Sequence, residues 1–499
     1  MRVPSALLVG TAGSGVLVTG APGLIALSSR AITTLEAPRD EQGKNPVTED
    51  WPYALVTQPP QKAVKDPKTP EGEAQPLSLR DAMVAYKSRT AGDLLRAVAV
   101  FQSCKFPWLV KNAEGLLNTA SQVSKSLTDS VVKKTFFAHF CAGENEDEVK
   151  PVMQKLGSSH VGSILDYAAE ADLDTEEDPS SGRPVYLQKT EDHCDGNLKK
   201  YLNAISLATN ATEGGGVVAV KITSLGNPAL LQRMSFLSSE DLIEEEHKLV
   251  QTVKERVHAL GQAAQASHVR MLIDAEQSYF QPAIDALTMD LMKSYNTRDT
   301  VVFNTYQCYL KGSHEKLQSH LEEAQTQGWK LGAKLVRGAY MKSERERADA
   351  LGHPSPVHET IEDTHYSFDR SVETMLHAVK AGNGEVVIAS HNEQSVLTAM
   401  SLMEELGLDN HNAGVMFGQL QGMCDFLTYS LSAKGYHSYK YLPYGPLHEV
   451  MPYLLRRAQE NSGLLSTTDV EKFMMLAEVK RRVHSSLFPR SARAMNFSG

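Results

Sequence analysis

Residues 441–461 read YLPYGPLHEVMPYLLRRAQEN. The segment starts as a short aromatic strand, turns at Pro443 and Gly445, and continues as a helix carrying the adjacent pair Arg456 and Arg457. Two neighbouring guanidiniums just after a strand–turn element make a receptor for one small carboxylate, because Arg presents a planar fork that grips a carboxylate bidentately and Lys does not. An isolated pair of arginines is more often a solvated patch. Here Val450, Met451, Leu454 and Leu455 share the helix, and Glu460, four residues after Arg456, is placed to orient it.

Other charged residues interrupt apolar runs in the same half of the chain. Lys221 breaks VVAVKIT, Asp274 breaks MLIDAE, and Lys334 and Arg337 bracket KLVRG. A strand buried on both faces should be almost continuously apolar. Burying an ion costs several kcal/mol unless it is paired or meets a ligand. Lys221, Lys334, Arg337, Arg456 and Arg457 together would make a cationic mouth suited to a carboxylate or phosphate ligand. His391 has no HxH, HExxH or carboxylate cluster beside it, so it reads as a hydrogen-bonding strand-end histidine and no metal site is expected.

The elements that must position these residues follow one rhythm from about residue 144. Short β-branched runs end in polar residues and alternate with amphipathic segments: 160–167, 216–224, 268–276, 301–307, 332–340, 385–392, 413–420 and 438–445. One of the intervening helices is expected over 238–264, opened by a capping box from Ser238 to Asp241. Strands alternating with helices imply right-handed parallel crossovers. Eight such units fit an α/β fold of the (β/α)8 TIM-like barrel type, whose active site lies at the carboxyl ends of the strands. An open doubly wound sheet is the alternative; it normally carries a Gly-rich turn after its first strand, and no GxGxxG occurs.

Ahead of the barrel, residues 79–143 have helical apolar spacing and read as an N-terminal helical region, with packing as their role. Residues 37–78, rich in Pro, Glu, Lys and Gln, read as a linker. Residues 1–36 hold Arg2 and Arg30, small hydroxylated residues and no acid before Glu36, which fits a mitochondrial transit peptide; a secretory signal is the competing reading. The barrel is expected over 144–490 and a tail over 491–499. Five scattered cysteines form no CxxC pair, which fits a reducing compartment. A net charge of −10 with no basic aromatic stripe argues against nucleic acid as a partner.

The runs VKITS, DAEQSYFQPAI, VFNTYQCYLK, KLVRGAYMKSERERA, ASHN, FGQLQGMCD and the arginine helix resemble, in order, the strand motifs of the proline dehydrogenase family, over about residues 134–487. The likeness is greatest to the mitochondrial, single-function eukaryotic type. It implies an FAD-bearing barrel that oxidises L-proline to Δ1-pyrroline-5-carboxylate and passes electrons to ubiquinone at the inner mitochondrial membrane, bound peripherally. Carried over by motif, Arg456 and Arg457 would clamp the proline carboxylate with Lys221 as third cation, and Tyr441 would pack on the substrate ring. Asp274 and Lys334 would be catalytic. Ala275, Gln307, Lys334, Arg337, Gly338, Ala339, Ser390, His391 and Gln419 would hold FAD. Many bacterial members read RLVKGAY where this chain reads KLVRGAY, so the two cations exchange places. Hydroxyproline dehydrogenase is the nearest alternative on this fold. A Schiff-base lyase using Lys221 or Lys334, or a non-catalytic amino-acid-binding scaffold, are alternatives of other classes.

Overall fold

The computed structural model describes residues 79–168, 184, 186–209, 215–412, 414–463 and 465–487. The expected transit peptide, linker and tail lie outside the described residues.

Two long helices precede the barrel, α1 (Ala91–Cys104) and α2 (Ala113–Val132). Thr90 and Asp93 close a reciprocal capping box on α1, each side chain accepting the other's backbone N–H. A short helix, Pro107–Lys111, joins the two, and α2 is kinked at Ser124, where φ −158° and ψ 99° leave the helical region.

The barrel strands are β1 (Val161–Tyr167), β2 (Val217–Val220), β3 (Arg270–Ile273), β4 (Val302–Gln307), β5 (Leu331–Val336), β6 (Gly384–Ala389), β7 (Val415–Leu420) and β8 (Ser438–Tyr444). Each pairs in parallel with its neighbour in sequence, and β8 closes on β1. This is the expected (β/α)8 barrel, and the open-sheet alternative falls. The outer layer is α3 (Gln188–Thr209), α4 (Glu244–Ala266), α5 (Gln281–Tyr295), α6 (Ser313–Gln327), α7 (Ile361–Lys380), α8 (Glu393–Glu405), α9 (Asp425–Ala433) and α10 (Leu447–Gly463), followed by α11 (Leu465–Leu487), which packs on α1.

Side chains alternate across each strand, so every second residue enters the barrel. Ile164, Ala219, Leu272, Phe303, Val387, Met416 and Tyr439 fill its interior as one apolar cluster. Gly162 makes room for this plug: a Cβ there would lie 2.3 Å from the Tyr439 ring. The charged residues stand two positions further along the same inward faces, so the plug is their floor.

Three local expectations shift. Lys221 and Asp274 stand one residue beyond β2 and β3 rather than inside them, and Thr223 lies in a 3-10 turn, Ile222–Ser224. The Ser238–Asp241 box caps only a 3-10 turn, Ser239–Asp241; Leu242 and Ile243 are extended, and α4 starts afresh at Glu244. Pro443 belongs to β8, and the turn comes at Gly445, whose φ of +141° suits glycine.

The N-terminal helical region is tied to the barrel by a buried charge cluster. Asp425 of α9 receives Arg89 at 2.7 Å and Lys440 of β8 at 2.8 Å. Burial would raise the Asp425 pKa, but these two cations hold it well below the usual carboxylate range. Lys440 lies on the outward face of β8 and belongs to this anchor, not to the barrel mouth.

Candidate active site

At the carboxyl ends of the strands an alternating row of charges crosses the mouth. Lys221 Nζ lies 2.7 Å from Asp166 Oδ1 and 3.8 Å from Asp274 Oδ2, and Lys334 Nζ lies 2.5 Å from Asp274 Oδ1. The Tyr441 hydroxyl donates to Asp274 Oδ2 at 2.6 Å, and the Lys334 ammonium stands 5.1 Å over the Tyr441 ring. All five side chains are buried. Burial alone would raise the Asp274 pKa; Lys334, Lys221 and the Tyr441 hydroxyl outweigh it and keep this carboxylate ionised. Burial and the carboxylates of Asp166 and Asp274 hold the Tyr441 phenol neutral, as a donor.

This row corrects the expectation of a strongly cationic mouth. Two lysines face two aspartates, so Lys221 and Lys334 are largely neutralised within the protein. An amine held in such an ion pair is also a poor nucleophile, which counts against a Schiff-base lyase. The positive excess lies instead with the arginines.

Arg457 of α10 is buried, with Nη1 2.5 Å from Glu460 and its guanidinium 5.1 Å over the Tyr453 ring. Glu460 thus ion-pairs with Arg457 at i,i+3, and the charges of both Arg457 and Arg456 act on its carboxyl. Arg456 is half-buried beside it. Arg457 Nε and the Tyr453 hydroxyl are both buried without a hydrogen-bond partner, as expected of groups that await a ligand. The electrostatic field at Tyr453 includes Arg457 and, from the barrel row, Asp166. The arginine helix thus comes within electrostatic range of the barrel row.

The next ring of residues braces the loops. Both Glu276 oxygens accept from Thr223, from the backbone N at 3.1 Å and the hydroxyl at 2.5 Å, and Gln307 Nε2 donates to the Glu276 carbonyl at 2.7 Å. Burial pushes the Glu276 pKa up to about 7 against those hydrogen bonds. Ala275 lies half-buried between Asp274 and Glu276.

Arg337 does not join the mouth row. Its Nη1 donates to Ser390 and its Nη2 to Ser395, each at 2.8 Å, its Nε donates to His365 at 3.0 Å, and its guanidinium stacks on Phe368 at 4.3 Å. All of these partners are neutral, and no carboxylate lies within ion-pair distance among the described residues. Burial lowers the Arg337 pKa accordingly. Gly338 and Ala339 follow as exposed backbone; Gly338 has φ +134°, and a Cβ there would strike the Tyr309 ring at 1.5 Å. His391 accepts the Leu420 N–H at Nε2, 3.0 Å, which leaves its proton on Nδ1. Burial and the nearby cations Lys440, Arg457 and Arg337 lower its pKa to about 3, so it is neutral. Gln419 faces the helix layer: its amide donates to the Ser390 carbonyl and accepts from Thr428. It braces Ser390 from behind.

The sequence alone assigned no role to Asp166, Tyr453 or the Thr223–Glu276 clasp. A charge within the apolar ILDY run marked Asp166. The four-residue spacing from Tyr453 to Arg457 marked the stacked pair.

The residues at the ends of β4 to β7 could hold an anionic cofactor with a heteroaromatic ring. A half-buried guanidinium with only neutral partners suits an anionic phosphate, while the Gln307 amide, the Ser390 hydroxyl and the His391 Nδ1–H suit the polar edges of a heteroaromatic ring.

The proline dehydrogenase family profile matches residues 149–470. The "Proline dehydrogenase 1, mitochondrial" of Drosophila melanogaster is 31% identical over 558 residues, covering 83% of this chain and 82% of its own. Its human counterpart is 30% identical, covering 83% and 91%. The "Hydroxyproline dehydrogenase" of Xenopus laevis is 34% identical over 426 residues, covering 82% and 90%. Among solved structures, proline utilization A (PutA) from Bdellovibrio bacteriovorus aligns with a TM-score of 0.57 at 20% identity, over 76% of this chain and 38% of that one, a likeness of fold. The chain belongs to the proline dehydrogenase family.

Proposed function

We propose that this chain is a mitochondrial FAD-dependent proline dehydrogenase, oxidising L-proline to Δ1-pyrroline-5-carboxylate and handing electrons to ubiquinone at the inner membrane. The observation that carries the reading is the buried row Asp166–Lys221–Asp274–Lys334, facing an arginine pair that leaves Arg457 Nε and the Tyr453 hydroxyl without partners. The family match and the mitochondrial names of its relatives support it.

Arg456 and Arg457 bind the substrate carboxylate, with Glu460 and Tyr453 fixing the fork. Lys221, already paired with Asp166, contributes field more than a direct grip. Tyr441 presents its ring to the substrate ring while its hydroxyl ties down Asp274. Asp274 is held too low in pKa to serve as a base; it anchors Lys334 and Tyr441. Proline must bind with its amine neutral, because the nitrogen lone pair drives hydride loss from the adjacent carbon. FAD, when bound, supplies the hydride acceptor. Lys334, inside the mouth, would be the cation for the flavin ring, and Arg337, whose hydrogen-bond partners are neutral, would suit the phosphates. Ala275, Gln307, Gly338, Ala339, Ser390 and His391 complete the cradle, and Gln419 backs Ser390.

Hydroxyproline is the second substrate reading, favoured by the 34% identical Xenopus relative. The Tyr441 ring, packed under Lys334 and bonded to Asp274, leaves less room for a ring hydroxyl and favours proline. Anaerobic titration of the purified protein decides: proline should bleach a yellow chromophore at lower concentration than hydroxyproline does. A colourless protein, or one whose colour proline leaves unchanged, refutes the reading.

A further inference from the structure

A cavity of about 560 Å3 lies beside the barrel, between α1, the turn Lys133–Phe137, the helix Glu146–Gly157 and the loop from β7 to α9. Its wall carries cations at both ends of α1 and across from it, and their pairing is uneven. Asp93 serves two of them, Arg96 at 2.7 Å and Lys155 at 3.8 Å. Asp425, behind the wall, serves Arg89 and also Lys440. Lys133 pairs with Glu144. Two carboxylates thus answer four cations, and the field is positive: His139, buried beside Ala138 of this wall, has its pKa lowered to about 3 by burial and then by Arg89, with Arg96 and Lys440 adding to it. One acid of the lining stands apart. Glu148 accepts the Glu144 N–H at 3.0 Å and pairs with no cation among the described residues.

Two buried polar atoms of the lining residues have no hydrogen-bond partner, Arg96 Nε, a donor, and Gln421 Oε1, an acceptor. Gln421 is only 8% exposed. Buried polar groups left unpaired are rare, and a donor and an acceptor in one wall call for a ligand that offers both an acceptor and a donor. Phe137, Val152 and Leu156 supply an apolar side to the same cavity. We propose that it binds a small α-amino acid with an apolar side chain, as the zwitterion. The carboxylate would meet Arg96 with Lys155 beside it, the ammonium would turn to Gln421 and Glu148, and the side chain would lie on Phe137, Val152 and Leu156.

The cavity is separate from the mouth but shares a wall with it. Neither the lysine–aspartate row nor Arg456 and Arg457 line it. Its own residues 142–144 are stitched to the turn that leads into α10: Ala142 N donates to the Pro443 carbonyl at 2.9 Å, Gly445 N to the Gly143 carbonyl at 3.0 Å, and Leu447 N to Glu144 Oε1 at 3.0 Å. A ligand there would bear on the arginine helix through Glu144. The site itself needs no assumption about the reaction in the barrel.

The test is calorimetric titration of the full chain, without turnover, using L-leucine, isocaproate, which lacks the ammonium, and isoamylamine, which lacks the carboxylate. L-leucine should saturate a single site in the millimolar range or tighter. Isocaproate and isoamylamine should each bind at least about tenfold more weakly, because each leaves one charged contact unmade. Arg96→Met and Gln421→Leu should each weaken L-leucine about tenfold, whereas Arg456→Met/Arg457→Met should leave its affinity unchanged. Should Arg96→Met fail to fold, Lys155→Met, at a side chain 48% exposed, should still weaken L-leucine about threefold. Absence of saturable binding, or isocaproate binding as tightly as L-leucine, overturns the inference. Binding lost only in the Arg456→Met/Arg457→Met protein also overturns it, placing the probe in the mouth.

Discussion

Lys334 has one carboxylate partner among the described residues, Asp274 at 2.5 Å, whereas Lys221 has Asp166 at 2.7 Å as well as Asp274 at 3.8 Å. At an effective dielectric of about 20, the 2.5 Å pair attracts by about 7 kcal/mol and the 3.8 Å pair by about 4 kcal/mol. Desolvation of both ions removes much of this, yet deleting one partner still costs about 3–5 kcal/mol, because the other is left buried and uncompensated. Asp274→Asn and Lys334→Met should each destabilise the holoprotein by that order. The double variant should cost less than the sum by at least about 2 kcal/mol, because the second change removes the ion stranded by the first. The same cycle with Lys221→Met should give a smaller coupling, since Lys221 loses Asp274 yet keeps Asp166. Urea unfolding of the six proteins (wild type, three single variants and two doubles) supplies the numbers. Additivity within about 0.5 kcal/mol for Asp274 and Lys334, or a larger coupling to Lys221, would refute the assignment of Asp274 as the anchor of Lys334.

Three more outcomes follow from the same geometry. The Glu276 pKa is about 7 in the fold against an ordinary 4.5, so the native state keeps a proton that the unfolded chain releases; stability is full below about pH 4.5 and declines as pH rises through 7. Glu276→Gln should therefore gain about 3 kcal/mol over wild type between pH 4.5 and about pH 8, and a constant difference in unfolding free energy across that range would contradict it. Arg337→Met should cut the flavin retained after dialysis at least about tenfold by removing a cation that has only neutral protein partners, and full retention would argue against a phosphate role. Tyr441→Ser, which frees space and unlocks Asp274, should raise the hydroxyproline-to-proline ratio of kcat/KM about tenfold or more; an unchanged ratio would exclude Tyr441 from substrate choice.

The barrel was legible because its strands repeat as β-branched runs between amphipathic helices, and Lys221, Asp274 and Lys334 stood out because charge has no cheap place beside strands covered on both faces. What periodicity could not supply was parity and partner. Lys334 and Arg337 are three residues apart and so must face opposite sides of a strand, but which faces inward depends on barrel register. The same holds for Gln419, which turns to Thr428 instead of the mouth. The near-neutral sum of the mouth row was hidden because Asp166 lies 55 residues before Lys221 and meets it only through the pairing of β1 with β2. Glu460 was assigned to Arg456 from i,i+4 spacing; i,i+3 neighbours also share a helix face, and Arg457 pairs with Glu460 while Arg456 acts on it as well. The π-helical turn Lys133–Phe137 had no counterpart in the sequence reading, since only one extra residue per turn distinguishes it from an α-helix.

Arginines from the last barrel helix and the lysine–aspartate row would grip one small ring carboxylate within a single mouth. A crystal structure of the holoprotein soaked with an unreactive proline analogue, oxygen replacing the ring nitrogen, tests this most directly. The carboxylate should lie in the fork of Arg456 and Arg457, with its ring against Tyr441 and beside Lys334. An analogue seated outside that mouth, or one that leaves Arg457 Nε and the Tyr453 hydroxyl still without partners, would contradict it.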